Sequence, residues 1–170
     1  MRKFFGKKII IAVILVGLVG IIGWQNGWFK SPILNSSDSA VSDFSSSFYL
    51  NYSKDFQVRN EDVGDDIKKY IFENGELKQG FEITIIPFDE SGPLTAERIK
   101  QDLPDLAMNN VKDFFISTDI KGISFDSTDE NIGDTHEVWF SAKGELYQFR
   151  TYKEFGAEME DVIKTFTFKL

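Results

Sequence analysis

Residues 135–153 read THEVWFSAKGELYQFRTYK, two alternating runs of apolar and polar residues joined by Lys143-Gly144. A short connection that contains glycine between two such runs is typical of a β-hairpin. A two-residue turn fixes the register of the pair, and the apolar face then places Phe140 opposite Tyr147 and Val138 opposite Phe149. Because successive side chains of a strand point to opposite faces, these residues form one aromatic and apolar cluster. We expect this face to pack in the core.

The other face of the same hairpin places Glu137 opposite Arg150 and carries Trp139 beside them. We predict a wetter surface on this face. An exposed tryptophan beside an arginine is typical of a protein or glycan contact, so Trp139, Glu137 and Arg150 are the predicted partner-contact residues. The alternative is that a helix covers this face and makes Trp139 part of the core. The substitution Trp139→Ala separates the two, because it unfolds the domain only if Trp139 is core.

A second hairpin is predicted around Asn74-Gly75, between strands at residues 67–73 and 77–87. Asn-Gly is the strongest short hairpin signal, and a two-residue turn here places Phe72 opposite Leu77 and Tyr70 opposite Gln79. Alternation then brings further apolar residues onto the face of Tyr70 and Phe72, namely Phe81, Ile83 and Ile85. We expect that face to be a core face.

The remaining pattern adds helices and further strands. Thr95 is a predicted N-cap for a helix over residues 96–103, with a second short helix at 105–109 and a last helix at 156–164. Further strands are predicted at 48–52, 56–58, 114–119, 123–127 and 165–170, and residues 59–66 are predicted to form an acidic loop. Hairpin connections require antiparallel neighbours, so the sequence predicts an α+β domain, a largely antiparallel β-sheet flanked by helices.

The N-terminal segment predicts a membrane anchor. Residues 9–22 read IIIAVILVGLVGII, and with the residues up to Trp28 they make about 20 mostly apolar residues, enough to span a bilayer as a helix. Arg2, Lys3, Lys7 and Lys8 precede this run, so the positive-inside rule keeps residues 1–8 in the cytoplasm as a basic tail and exports the rest. A cleaved signal peptide is the alternative, but no small-x-small cleavage site follows the run. We therefore expect a single transmembrane anchor at residues 9–28.

The composition beyond the anchor limits the classes of partner. Residues 29–47 are rich in Ser and Asp and predict a flexible linker, and residues 48–170 have the length of one globular domain. Five of the 19 basic residues and none of the 27 acidic residues fall within residues 1–30, so the remainder carries a net charge of −13. We therefore expect no nucleic-acid partner. The chain has no cysteine, which excludes disulfides and thiolate chemistry.

Three stretches resemble the PsbP/Mog1-like family. They are YSKDFQV at 52–58, the hairpin EVWF at 137–140 with LYQF at 146–149, and VIKTFTF at 162–168. The resemblance covers about residues 48–170. It implies α/β/α layers with an antiparallel sheet, used for binding and assembly rather than for catalysis. These stretches are core-packing patterns, so no binding residue of the family is transferred to this sequence.

Two groups of residues were considered for chemistry. His136 is the only histidine, and a hydrolase would have to use it together with carboxylates, since no G-x-S-x-G motif presents a serine. We expect it to be a partly buried structural residue. A turn rich in carboxylates offers low-priority ligands for an extracellular calcium ion, namely Asp126, Asp129, Glu130 and Asp134. Their spacing does not match the EF-hand loop, and a solvated acidic turn is the preferred interpretation.

The sequence therefore predicts a non-catalytic, membrane-anchored extracytoplasmic module for binding or assembly. We expect its partners to be the membrane, through the N-terminal helix, and a protein of the cell envelope. No cofactor is expected. A small envelope hydrolase and a calcium-stabilised structural module are the alternatives.

Overall fold

A computed structural model of the protein describes residues 39–41, 47–64, 66–76, 79–90 and 92–169. The predicted basic tail and anchor, residues 1–28, lie outside these residues, as does most of the predicted linker. Among the described helices, none is long and apolar enough to cross a membrane. Within the predicted linker, Ser39–Val41 forms strand β1 and pairs with β3 (Asn51–Ser53).

A seven-stranded sheet forms the centre of the domain, in the order β4-β5-β6-β10-β9-β8-β7, and every neighbouring pair is antiparallel. Two further pairs are described, β1 with β3 and β2 with β11. The strands beyond β1 and β3 are β2 (Phe48–Tyr49), β4 (Gln57–Asp62), β5 (Lys68–Asn74), β6 (Gln79–Pro87), β7 (Asn109–Phe115), β8 (Lys121–Asp129), β9 (Gly133–Ala142), β10 (Glu145–Tyr152) and β11 (Thr167–Phe168). The helices are α1 (Ala96–Asp102), a 3₁₀ helix (Lys153–Phe155) and α2 (Gly156–Ile163). The predicted antiparallel α+β architecture is confirmed for the described residues.

The register of the β9–β10 hairpin agrees with the prediction. Phe140 pairs with Tyr147, and their rings stack with centroids 4.9 Å apart. Lys143 and Gly144 form the turn with φ values of 52° and 79°. Positive φ at both central residues gives the type of turn whose twist matches that of the strands, and glycine adopts it without strain.

The β5–β6 hairpin was predicted with the wrong register. Asn74 is the last paired residue of β5 and lies opposite Gln79, so the connection has four residues instead of two. The side chain of Asn74 accepts a hydrogen bond from the backbone N–H of Glu76, which stabilises a longer turn. Phe72 consequently lies opposite Phe81, with ring centroids 4.2 Å apart, rather than opposite Leu77. The register shift is an even number of residues, so the predicted core face is nevertheless confirmed.

The first core lies on the face of Phe140 and Tyr147. Helix α2 and strands β2, β3 and β11 cover it. From the predicted last helix and the segment after it come Met159, Val162, Ile163 and Phe166. From the N-terminal strands, Phe48 stacks on Phe166 with centroids 4.8 Å apart.

The second core lies on the opposite face and was not predicted as such. Trp139 is 4% exposed and packs with Phe125, Leu146 and Ile99 of α1. The expectation of a wetter surface on this face is therefore wrong for Trp139, because α1 and the segments beside it cover the residue. The core alternative applies, and the helix that covers it begins at the predicted N-cap, where Thr95 Oγ1 accepts from the N–H of Arg98.

Three local predictions are corrected. Strand β4 extends to Asp62, so the first half of the predicted acidic loop at 59–66 is a strand that pairs with β5. No helix forms at residues 105–109; the chain turns after α1 and enters β7 at Asn109. Strand β8 begins at Lys121, two residues before the strand predicted at 123–127. For β4 and β8, pairing with a neighbouring strand extends the element beyond its local pattern.

We predict that Trp139→Ala lowers the free energy of unfolding by about 3–5 kcal/mol, since it removes a buried indole from the second core. Urea unfolding followed by circular dichroism measures this change. Phe115→Ala is the control, because Phe115 is 62% exposed and its loss is expected to change stability by less than about 0.5 kcal/mol. Equal stability of Trp139→Ala and the wild-type protein would contradict the second core.

Candidate functional site

A buried ion cluster lies on the second face of the sheet, beside the second core. It comprises Lys69, Glu82, Asp129, Glu137 and Arg150. Arg150 lies at its centre because β10 runs between β6 and β9, which places Glu82 opposite it on one side and Glu137 on the other. The predicted Glu137–Arg150 pairing is therefore confirmed as a register.

Glu82 is the anion that both cations share. Arg150 donates to Glu82 Oε1 from Nε at 2.9 Å and from Nη2 at 2.6 Å. Lys69 Nζ lies 2.9 Å from Glu82 Oε2, and the two side chains are only 6% and 7% exposed. Charges this deeply buried are tolerated when they are paired, and removing one partner leaves the other uncompensated.

Glu137 is the least compensated member of the ion cluster. Burial raises the pKa of Glu137 above its ordinary value of 4.5, and this outweighs the opposing effects of Arg150 and of hydrogen bonds from Trp139 and Thr135. Trp139 Nε1 donates to Glu137 Oε2 at 2.8 Å, and Thr135 Oγ1 donates to Oε1 at 3.3 Å. The cluster holds three carboxylates against two cations, so a proton on Glu137 would balance its charge.

The three predicted partner-contact residues are therefore brought together, but inside the fold. Trp139 and Glu137 are 4% and 6% exposed, and Arg150 directs its guanidinium at Glu82 and, at 3.4 Å, at Asp129. A contact through exposed Trp139 and Glu137 does not fit this burial, because neither side chain reaches the surface. The sequence pattern did not identify Lys69 and Glu82 as members of this cluster. The available signal was the presence of two charged residues within otherwise apolar strands.

His136 has carboxylates on both sides of its ring. Nδ1 lies 2.9 Å from Asp126 Oδ1 on β8, and Nε2 lies 2.9 Å from Glu160 Oε1 on α2. The side chain is 15% exposed, as expected for a partly buried residue. We name His136, Asp126 and Glu160 the histidine bridge, since they join the sheet to α2.

Asp126 is the carboxylate of the histidine bridge that has the most hydrogen-bond donors around it. Burial raises its pKa, but hydrogen bonds from His136, Asn110 and Lys153 outweigh that effect and lower the pKa to about 2. Asn110 Nδ2 donates at 2.8 Å, and Lys153 Nζ lies 3.1 Å away. Asp126 therefore remains ionised at any pH near neutrality.

The four carboxylates considered for calcium do not converge. Asp126 belongs to the histidine bridge, whereas Asp129 lies on the other face, where it accepts from two turn N–H groups and from Arg150. Asp134 accepts from Thr128 Oγ1, and Glu130 lies exposed in the turn. Strand alternation separates them, and within the described part of the chain no three acidic or histidine side chains gather as metal ligands.

Strand β7, at the edge of the seven-stranded sheet, carries two exposed apolar side chains. Phe115 is 62% exposed and Val111 is 39% exposed, while Phe114 between them is buried. Among the described strands, β7 pairs only with β8. Phe114 lies in a predicted strand, and alternation from buried Phe114 was the signal that Phe115 points outward.

We predict that Glu137→Gln raises the free energy of unfolding at pH 8 by about 1 kcal/mol. The neutral amide can accept from Trp139 Nε1 through its oxygen and donate to Thr135 Oγ1 through its nitrogen, without a buried charge. The raised pKa of Glu137 gives the wild-type protein a stabilising contribution that is complete below the unfolded-state pKa. This contribution is lost as the pH rises through the folded-state pKa. The variant is therefore expected to lose less stability between pH 5 and 8, measured by urea unfolding.

Glu82→Gln is the matched control for this prediction. It removes the anion shared by Lys69 and Arg150 and should destabilise the protein by about 3–5 kcal/mol. A stability loss of the same size in Glu137→Gln would contradict the assignment of Glu137 as the uncompensated charge.

Comparison with known proteins identifies the fold. No protein-family model and no curated protein matches the sequence. The solution structure of cyanobacterial PsbP (CyanoP) from Synechocystis sp. PCC 6803 superposes with a TM-score of 0.54, covering 83% of this chain and 98% of that one at 9% identity. At this identity the likeness concerns the fold alone. The chain therefore has a PsbP-like fold, as the three core-packing stretches indicated.

Proposed function

We propose that this protein is a non-catalytic binding or assembly module, anchored in a membrane by residues 9–28 and exposing residues 48–170 on the extracytoplasmic side. Its partner is a protein of the cell envelope. The sequence pattern of the first 28 residues supports the anchor and its orientation. Tethering raises the local concentration of a weak binder beside other membrane components.

The observation that carries the proposal is the exposure of Phe115 on edge strand β7. An aromatic ring that is 62% exposed does not contribute its full apolar surface to either core. Aromatic side chains are enriched among the residues that dominate protein–protein binding. Val111, 39% exposed on the same strand, would extend the contact.

The same strand has features that disfavour indiscriminate pairing. Its register with β8 shifts between Asn109 and Lys112, and Asn110 has a φ of 53°. Asp113 lies exposed and pairs with Lys121 at 2.8 Å. Bulges and charges at a sheet edge oppose the addition of an arbitrary strand. A partner is therefore expected to recognise the side chains of β7, with Phe115 as the main anchor.

The positions of the side chains favour the hydrolase and the calcium-stabilised module less than the binding module. A hydrolase using His136 needs a ring nitrogen free to accept a proton from a nucleophile or water. Both ring nitrogens instead lie 2.9 Å from carboxylate oxygens. A calcium-stabilised module would need carboxylates that converge, and those of the acidic turn are engaged on two faces.

The test is site-specific photo-crosslinking of the full-length protein in cells. With a benzophenone side chain in place of Phe115, we expect one reproducible protein partner to be captured. The same probe in place of Tyr49 is the matched control, because Tyr49 is an aromatic residue that is 40% exposed on a different strand.

A second variant tests the energetic role of the ring. Phe115→Ser should reduce the capture of that partner at least tenfold with a general crosslinker, while Tyr49→Ser should leave it unchanged. Equal capture from positions 49 and 115, or full capture by Phe115→Ser, would refute β7 as the contact.

A further inference from the structure

The histidine bridge connects four elements of the fold at one point. His136 lies on β9, Asp126 on β8 and Glu160 on α2, and Lys153 of the 3₁₀ helix contacts Asp126. Gly156, the first residue of α2, packs directly on the imidazole, since a Cβ there would lie 2.7 Å from His136 Cγ. The start of α2 is thus held against the ring, and Glu160, one turn later, contacts its far nitrogen.

Both hydrogen bonds of the histidine bridge can form in only one protonation state of the imidazole. An ionised carboxylate only accepts hydrogen bonds, and a neutral imidazole has a single N–H. Two carboxylate oxygens at 2.9 Å, one at each ring nitrogen, are satisfied together only by an imidazolium that donates from both nitrogens. The charged groups that face His136 are Asp126 from β8, Glu160 from α2 and, behind Asp126, Lys153.

The two carboxylates respond differently when the imidazole loses a proton. Asp126 keeps its contacts with Asn110 and Lys153, at 2.8 Å and 3.1 Å, whatever the state of His136. Glu160 has a side chain that is 28% exposed and can rotate into water. If Asp126 retains the remaining N–H, the lone pair on Nε2 faces the carboxylate of Glu160 and repels it.

We infer that the histidine bridge is a proton-operated latch that tightens α2 against the sheet when His136 is charged and loosens it when His136 is neutral, while the apolar side of α2 stays packed in the first core. The latch uses a side chain in which the loss of one ring proton converts a donor nitrogen into an acceptor. Loosening of the latch relaxes the layer that α2 forms with β11 and β2. The segment just before β2 also contacts this layer, since the backbone N–H of Lys169 donates to the carbonyl oxygen of Ser47 at 3.0 Å.

The chain offers a direct test, because His136 is its only histidine. Nitrogen-15 labelling of histidine in the full-length protein gives one imidazole titration, and hydrogen exchange measured over the same pH range reports the protection of residues 156–163. After correction for the intrinsic pH dependence of exchange, we expect protection to fall at least tenfold, with a midpoint that coincides with the imidazole titration.

Glu160→Gln separates a latch from a merely structural contact. A glutamine amide can accept from an imidazolium and donate to a neutral imidazole, so this variant should keep α2 protected at both ends of the range. Glu158→Gln, which removes one charge from the same helix, should behave like the wild-type protein. A wild-type protection that does not follow the imidazole titration, or an unchanged step in Glu160→Gln, would overturn the latch.

Discussion

The register of the β9–β10 hairpin is the constraint on which the rest of the structure depends. Side chains alternate between the two faces of a strand, so a slip of one residue would exchange every contact of this pair. If β9 slipped, Phe140 would move to the face of the ion cluster and Glu137 would enter the aromatic core, while Tyr147 of β10 would keep its place. The turn at Lys143-Gly144, with positive φ at both residues, prevents that slip. Strands β6 and β8 then pair with the outer edges of this hairpin.

The same alternation decides where charge can be buried. On one face of the sheet, apart from the histidine bridge, the central strands contribute mainly aromatic and aliphatic side chains to the first core. On the other face, the second core covers one part and the ion cluster occupies another. Arg150 can be buried there because antiparallel pairing places a carboxylate on each neighbouring strand. A buried ion network of this kind adds little net stability, because the cost of removing its charges from water offsets their attraction.

Much of this arrangement could be predicted from local patterns. The hairpin turn, the core face of Tyr70 and Phe72, the N-cap at Thr95 and the apolar side of α2 all follow from spacing over a few residues. The sequence left the burial of Trp139 open between a contact and a core residue, because the choice depends on where α1 packs after its loop. The predicted β5–β6 register was wrong because the side chain of Asn74 stabilises a longer turn.

Candidate sites were harder to predict than elements, because they combine residues from distant strands. Lys69 and Glu82 meet Arg150 across three strands, and His136 meets Glu160 only once α2 has packed on the sheet. The carboxylates of the acidic turn lie within a few positions of one another in the sequence. Strand alternation nevertheless directs Asp126 and Asp129 to opposite faces of the sheet. Patterns along a strand thus predict burial, while chemistry depends on neighbours that only the fold brings together.

We propose that residues 48–170, rather than the N-terminal segment, select a protein partner in the cell envelope. In-cell crosslinking of the tagged full-length protein tests this most directly, alongside a variant lacking residues 48–170 and a variant whose residues 1–28 are replaced by an unrelated single-span anchor. The account predicts one reproducible partner that is lost with the domain and retained after the anchor exchange. A partner that remains without the domain, or no specific partner at saturating crosslinker, would contradict it.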